Sequence, residues 1–183
     1  MSEKPLHTPK HDQSVSFKIA AGAIFAGLVA VATLIFVVPI PATTGYFNLG
    51  DTFIYVAALL LGPAVGAAAG AGAAIADIIG FPAFAPGTFA IKLIEGFIVG
   101  YLTRKLYRKT RNLTLSATIA ILVGGLEMVI GYFVYEQLVL GIPFYGALAE
   151  VPFNLIQMTA GLLIAVPVMH AVLRVFPQLK SYF

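Results

Sequence analysis

The sequence predicts an all-α membrane protein with six transmembrane helices and both termini on the cytoplasmic side. Three observations carry this. The 183 residues are 60% hydrophobic and 10% charged, with a mean hydropathy of +0.94, whereas soluble domains are about one-quarter charged. Long stretches lack charge: Phe17 to Val38 holds only Lys18, and Thr52 to Ala76, Ile98 to Thr103 and Asn112 to Leu126 hold none. The basic residues gather in a few clusters. About 20 apolar residues cross a bilayer as helix, so a single soluble domain is excluded.

Helix 1 is expected over 17–38. It is too long for a signal-peptide core, and no small-x-small site ends it, so it is read as retained. Residues 1–16, MSEKPLHTPKHDQSVS, are polar with two prolines and read as a disordered cytoplasmic tail. The stretch 51–80 splits at Gly62-Pro63, because proline opens helices but breaks them internally. This gives helix 2 at 51–61 and helix 3 at 63–80. Helix 4 follows at 86–109, helix 5 at 113–140 and helix 6 at 147–176. Pro152 falls in the first turns of helix 6, and Pro167 is expected to kink it. Residues 17–176 form the transmembrane domain and 177–183 a cytoplasmic tail. Helix 2 rises only about 16 Å, so other helices must shield its outer end.

Charge supports the split. RKLYRKTR at 104–111 holds five basic residues, and positive loops face the cytoplasm. Six crossings place ten of the eleven basic residues on that side; Lys92 is the exception. Of eight acids, only Glu3 and Asp12 join them. Asp51 and Asp77 fall at the outer ends of helices 2 and 3. Glu95, Glu136 and Glu150 fall in the outer portions of helices 4, 5 and 6, and Glu127 near the middle of helix 5.

Ionisable groups inside a bilayer cost about 2.5–3.5 kcal/mol each on insertion scales and usually face a cavity. Two readings stand for Asp51 and Glu136, solvated surface acids or part of a site; Asp51 also suits the N-cap of helix 2. Asp77 is a structural group near a helix end or a ligand contact. Lys92 and Glu95, three apart, form a private ion pair or belong to the site. Glu127 lacks an obvious basic partner, which points to a site or coupling role. In EVPFNLIQMTAG, Glu150, Asn154 and Gln157 form one helical stripe at i, i+4, i+7, read as facing a pocket. In GYFNLGD at 45–51, Tyr46 and Asn48 read as a lid, with Asp51 as the hinge-side cap. Phe47, Phe81, Phe84, Tyr132 and Tyr135 are candidate aromatic walls.

Small residues repeat every four positions at Gly22, Ala26 and Ala30, and again at Gly62, Gly66 and Gly70. Such faces let helices approach closely. The second stripe reads as packing inside the chain, the first as a face offered to a partner. No cysteine is present, which excludes disulfides and thiolate metal sites. The three histidines (His7, His11, His170) offer no paired metal site. Serine-nucleophile motifs and a G-x-x-x-x-G-K-[ST] phosphate loop are absent too, so no cofactor, metal or catalytic chemistry is expected in this chain.

The blocks IPATTGYFNLGDTFIYVAALLLGPAVGAAAGAGAAIADIIG, APGTFAIKLIEGFIVGYL, GYFVYE and AEVPFNLIQ, in this order, resemble the substrate-binding S component of energy-coupling factor (ECF) vitamin transporters, most strongly its riboflavin-type or hydroxymethylpyrimidine-type branch. The resemblance runs from residue 17 onward. It implies a six-helix bundle in the cell membrane that binds a small water-soluble vitamin near the outer face. It implies ATP-driven uptake with a transmembrane T component and two ATPase subunits, with lipid around the bundle and no nucleic acid. It favours Asn48, Glu95, Tyr132 and Asn154 as ligand contacts, then Lys92 and Gln157. It assigns the helix 1 stripe of Gly22, Ala26 and Ala30 to T-component docking, with Ala23 and Gly27 as a neighbouring register. Thiamine-type tryptophan contacts have no counterpart, since the chain has no Trp. With Tyr46, Glu127 and Glu150 from the residue-level reading, the expected binding set is Tyr46, Asn48, Lys92, Glu95, Glu127, Tyr132, Glu150, Asn154 and Gln157. The competing reading is a stand-alone proton-coupled carrier using Glu95 and Glu127; the internal repeats common in carriers are not visible.

The charge asymmetry predicts topology. Single cysteines at residues 45, 83 and 143 should react with an impermeant thiol reagent from outside. A cysteine at residue 109 and cysteines at both termini should react only after permeabilisation. External labelling at 109 would overturn the six-crossing arrangement.

Overall fold

The computed structural model describes residues 14–40 and 45–183. Six α-helices make up the bundle: α1 (Val15–Ile35), α2 (Gly50–Leu61), α3 (Pro63–Gly80), α4 (Ala85–Thr110), α5 (Leu113–Leu138) and α6 (Phe144–Val175). Five are long and apolar enough to cross a membrane; α2, at 12 residues, is the short one. The protein is a multi-pass membrane protein, as its composition predicts.

α1 starts at Val15, where the Ser14 side chain accepts a hydrogen bond from the Phe17 N–H at 3.2 Å. Residues 1–13 of the expected tail lie outside the described residues. α1 ends at Ile35 rather than 38. Pro39 disfavours helix in the residue before it, and β1 (Val38–Pro39) instead pairs antiparallel with β2 (Tyr46–Phe47), Val38 opposite Phe47. This small ribbon was not expected. α5 stops two residues early and α6 starts three residues early, at Phe144. Between them Gly141 adopts φ +68, a left-handed turn that favours glycine. α6 runs through both Pro152 and Pro167. The segment expected as a C-terminal tail forms a 3-10 turn over Pro177–Tyr182.

Small residues set how close the helices come. A Cβ on Gly66 would lie 2.5 Å from the Gly96 carbonyl oxygen, and one on Gly70 2.0 Å from that of Lys92. The α3 stripe therefore packs inside the chain, against α4. The α1 stripe also meets α3. A Cβ on Gly22 would meet that of Ala68 at 2.8 Å, one on Gly72 would meet the Ala26 backbone, and Ala30 is buried. Gly22 and Ala26 thus pack on α3, with Ala26 still partly exposed. The neighbouring register faces outward: Ala23 and Gly27 are exposed, and a Cβ on Gly27 meets nothing within 4 Å.

α2 is buried along ten of its 12 residues and spans about 18 Å, short of the roughly 30 Å hydrocarbon core. α4 holds it at both ends. At the inner end, Arg104 donates to the carbonyls of Ala58 (3.1 Å) and Leu60 (3.4 Å), the second an acceptor of the kind a helix C-terminus leaves open. At the outer end, Lys92 Nζ sits 2.5 Å from Asp51 Oδ1 and 3.1 Å from Glu95 Oε2, with all three side chains buried. Lys92 and Glu95 are thus a pair, but not a private one. Asp51 is not the N-cap: Leu49 occupies that position without a side-chain cap, and Asp51 lies in the first turn.

Removing one partner of a buried ion pair leaves its counter-charge uncompensated, at a cost of about 3–5 kcal/mol. Lys92→Met should therefore lower the circular-dichroism melting temperature in detergent sharply. The triple variant Asp51→Asn, Lys92→Met, Glu95→Gln should recover most of the loss. A single variant as stable as the parent would remove this clamp from the account.

Candidate functional site

The outer end of the bundle encloses a cavity of about 310 Å³, counting its mouth, below the loop that leads into α2. Gly45, Tyr46 and Asn48 line it from that loop and Asp77 from the end of α3. Phe84 and Thr88 come from the start of α4, Tyr132 from α5, and Glu150, Asn154 and Gln157 from α6. The α6 residues share one face because of their i, i+4, i+7 spacing, and all three are buried.

Hydrogen bonds close the loop over this space. Gln157 Oε1 accepts the Asn48 N–H at 2.9 Å, while Gln157 Nε2 donates to Asp51 Oδ2 at 2.8 Å. Asn48 Oδ1 turns back to accept the Gly50 N–H at 2.8 Å, covering one open donor of α2. The Tyr46 hydroxyl donates to Asp77, and its ring stacks on Phe81 at 4.0 Å. Burial, then the neighbouring Asp77 carboxylate, pushes the Tyr46 hydroxyl well above its ordinary pKa, so it remains a donor. On the neighbouring turn of α4, Thr88 Oγ1 takes the Tyr132 hydroxyl at 3.0 Å. The Glu150 carboxyl lies directly against Gly45; a Cβ there would fall 2.0 Å from Glu150 Oε1. A side chain at 45 would push the Glu150 carboxyl aside.

Asn154 stands apart. Its side chain is 7% exposed and lines the cavity, yet makes no hydrogen bond among the described residues. Every other amide in the lining is engaged.

Of the nine residues expected to bind ligand, six line the cavity: Tyr46, Asn48, Tyr132, Glu150, Asn154 and Gln157. Three do not. Lys92 and Glu95 lie below it, occupied with Asp51 and with the Tyr55 hydroxyl, which donates to Glu95 at 2.6 Å. Lys92 approaches only the Tyr132 ring, 5.5 Å from its centroid. Glu127 is half-buried one to two turns deeper than Tyr132, with Oε2 unpartnered among the described residues. Asp51 and Glu136 are both buried, so neither is a solvated surface acid. Gly45 and Thr88 line the cavity and were missed. Thr88 had a usable signal: Thr88, Lys92 and Glu95 repeat the i, i+4, i+7 spacing of the α6 stripe.

The arrangement suits capture rather than catalysis: a closed loop, three aromatic rings, two carboxyls, several amides and hydroxyls, and no basic side chain in the lining. No group of three His, Cys, Asp or Glu among the described residues is placed to hold a metal ion.

Known proteins resemble this chain. A Pyrococcus woesei protein described as "Uncharacterized protein in gap 3'region" is 39% identical over 137 residues, 74% of this chain and 88% of that one. A solved structure described as "Structure and mechanism of the S component of a bacterial ECF transporter" superposes with a TM-score of 0.68, covering 89% of this chain and 99% of that chain. At 15% identity it speaks for the fold alone. The family model described as "ECF-type riboflavin transporter, S component" matches residues 14–174. The chain therefore belongs to the S-component family of ECF-type transporters.

Proposed function

We propose that this protein captures a small water-soluble vitamin or vitamin precursor in the outer cavity. It then delivers the ligand inward by ATP-driven uptake with a T component and two ATPase subunits. The observation that carries the binding half is Asn154: its amide lines the cavity and makes no hydrogen bond among the described residues, so it is open to a ligand. Its amide offers both donor and acceptor, which suits a heteroaromatic ring bearing hydroxyls.

The lining narrows the ligand further. An anion would meet Asp77 and Glu150 with no basic side chain among the lining residues, and Lys92 is already compensated by Asp51 and Glu95. A neutral or weakly basic ring of the pyridoxine or hydroxymethylpyrimidine kind fits this charge pattern, and riboflavin is uncharged as well. For the coupling half, the exposed Ala23–Gly27 register of α1 is the face on which a T component packs, since small residues allow close approach in the membrane.

Two measurements on purified protein test the site. By titration calorimetry with pyridoxine, hydroxymethylpyrimidine and riboflavin, Asn154→Ala should weaken the ligand that binds by about 1–3 kcal/mol. By stopped-flow fluorescence, Tyr46→Phe should speed its release, because the tie from loop to α3 is gone. Unchanged affinity in Asn154→Ala would move the site elsewhere.

Uptake by proteoliposomes holding the full transporter tests the docking face. Gly27→Leu should leave binding intact and abolish uptake, whereas Ala26→Leu should impair both by forcing α1 from α3. Normal uptake by Gly27→Leu would exclude this register.

A further inference from the structure

A second cavity, of about 710 Å³ with its mouth, opens at the other end of the bundle. Arg111, His170, Arg174 and Lys180 line it above Leu113 and Leu173. The three cations come from separate elements: the C-cap of α4, the last turn of α6, and the 3-10 turn. None of their side chains has a hydrogen-bond or ion-pair partner among the described residues. All six described acids, Asp51, Asp77, Glu95, Glu127, Glu136 and Glu150, lie toward the other end or mid-span, and none lines this cavity.

Local structure positions the elements that carry several of these groups. Arg111 takes a left-handed backbone, φ 54, with its N–H bonded to the Tyr107 carbonyl at 2.9 Å. His170 is tied to Thr114 through Nε2 at 2.8 Å. The 3-10 turn is held by Phe183, which meets the Tyr107 ring edge-on at 5.9 Å and lies 5.2 Å below the Arg104 guanidinium. That anchor keeps Lys180 beside the cavity. Helix C-termini favour cations in their last turn, which accounts for Arg174 and for Arg108 and Lys109. It does not account for three unpaired cations from separate elements around one cavity.

We propose that this cavity binds a phosphate-bearing anion, supplied in the membrane by the headgroup of an anionic phospholipid. Guanidinium groups bind phosphate oxygens with paired hydrogen bonds, and basic pockets between helices on the cytoplasmic side suit anionic headgroups. The apolar floor decides between lipid and free phosphate. Leu113 and Phe183, both partly exposed, offer surface to a glycerol and the start of an acyl chain, which hydrated inorganic phosphate cannot use. Arg111 lies at the α4–α5 connection and Lys180 on the C-terminal turn, so a bound headgroup would tie that turn to the connection.

The test is lipid retention by the full chain in native mass spectrometry, with phosphatidylglycerol and phosphatidylcholine as probes. The parent protein should retain phosphatidylglycerol at least tenfold better than phosphatidylcholine. Arg174→Gln with Lys180→Gln should reduce that preference about tenfold, and Arg108→Gln with Lys109→Gln, outside the lining, should leave it unchanged. Lys180→Gln alone, on the exposed 3-10 turn, should reduce it in part and guards against misfolding of the double variant. Equal retention of the two lipids, or equal loss in both double variants, would overturn the site. Displacement of lipid by millimolar inorganic phosphate would overturn the headgroup as its occupant. A gain in lipid binding on Glu3→Gln with Asp12→Asn would show the N-terminal segment to be the occupant instead.

Discussion

A 12-residue helix inside a bilayer is the constraint from which the rest follows. α2 spans roughly 18 Å, and its open backbone groups cannot turn to water in the hydrocarbon region. Something must satisfy both ends. At the outer end Asn48 Oδ1 accepts the Gly50 N–H, and α4 grips α2 with two cations, Lys92 and Arg104, spaced twelve residues apart as α2 is twelve residues long. Arg104 takes the inner carbonyls, and Lys92 takes Asp51 in the outer first turn. The thickness that α2 fails to fill then belongs to the loop before it. The space under that loop is the cavity.

Holding α2 this way requires close approach among α2, α3 and α4. Lipid tails are as apolar as leucine, so hydrophobicity does not press these helices together; contact between small residues does. Gly66, Gly70 and Gly96 remove side chains where α3 and α4 meet, and Gly22 and Gly72 do the same for α1 and α3. With α1, α3 and α4 knit at the backbone level, the polar groups on the outer halves of α4, α5 and α6 have a rigid frame. The loop and its hydrogen bonds to Gln157 and Asp77 are the softer part.

This division explains what the sequence disclosed. Helix number and the α2–α3 boundary were legible, because Gly62-Pro63 is a local signal and charge fixes which connections group together. Gly62 adopts φ +103 there, a conformation glycine supplies at little cost. The α6 stripe was legible because polar residues in a membrane helix mark the inward face. The rotation of α1 was not. It carries small residues on two adjacent faces, Gly22–Ala26–Ala30 and Ala23–Gly27, and apolar surface serves equally well against lipid or protein. Only the contact with Gly72 and Ala68 settles which face turns inward. Lys92 was misplaced for a related reason. Spacing paired it with Glu95, but Asp51 lies 41 positions away in sequence, and no periodicity reports that contact.

The α6 stripe also shows how one row of side chains divides two tasks. Gln157 uses both halves of its amide, the oxygen on the loop and the nitrogen on Asp51. It therefore links the loop to the clamp on α2. Glu150 leans on Gly45. Both are committed to the closed protein, so raising the loop leaves Gln157 Oε1 without its donor, a loss of about 1–3 kcal/mol until water replaces it. Asn154, one turn from each, has no such duty. A ligand that satisfies Asn154 gains a buried hydrogen bond without breaking the bonds that keep the loop shut. On the proposed reading, binding and closure are compatible, because the ligand's contact and the loop's contact use different amides of one stripe.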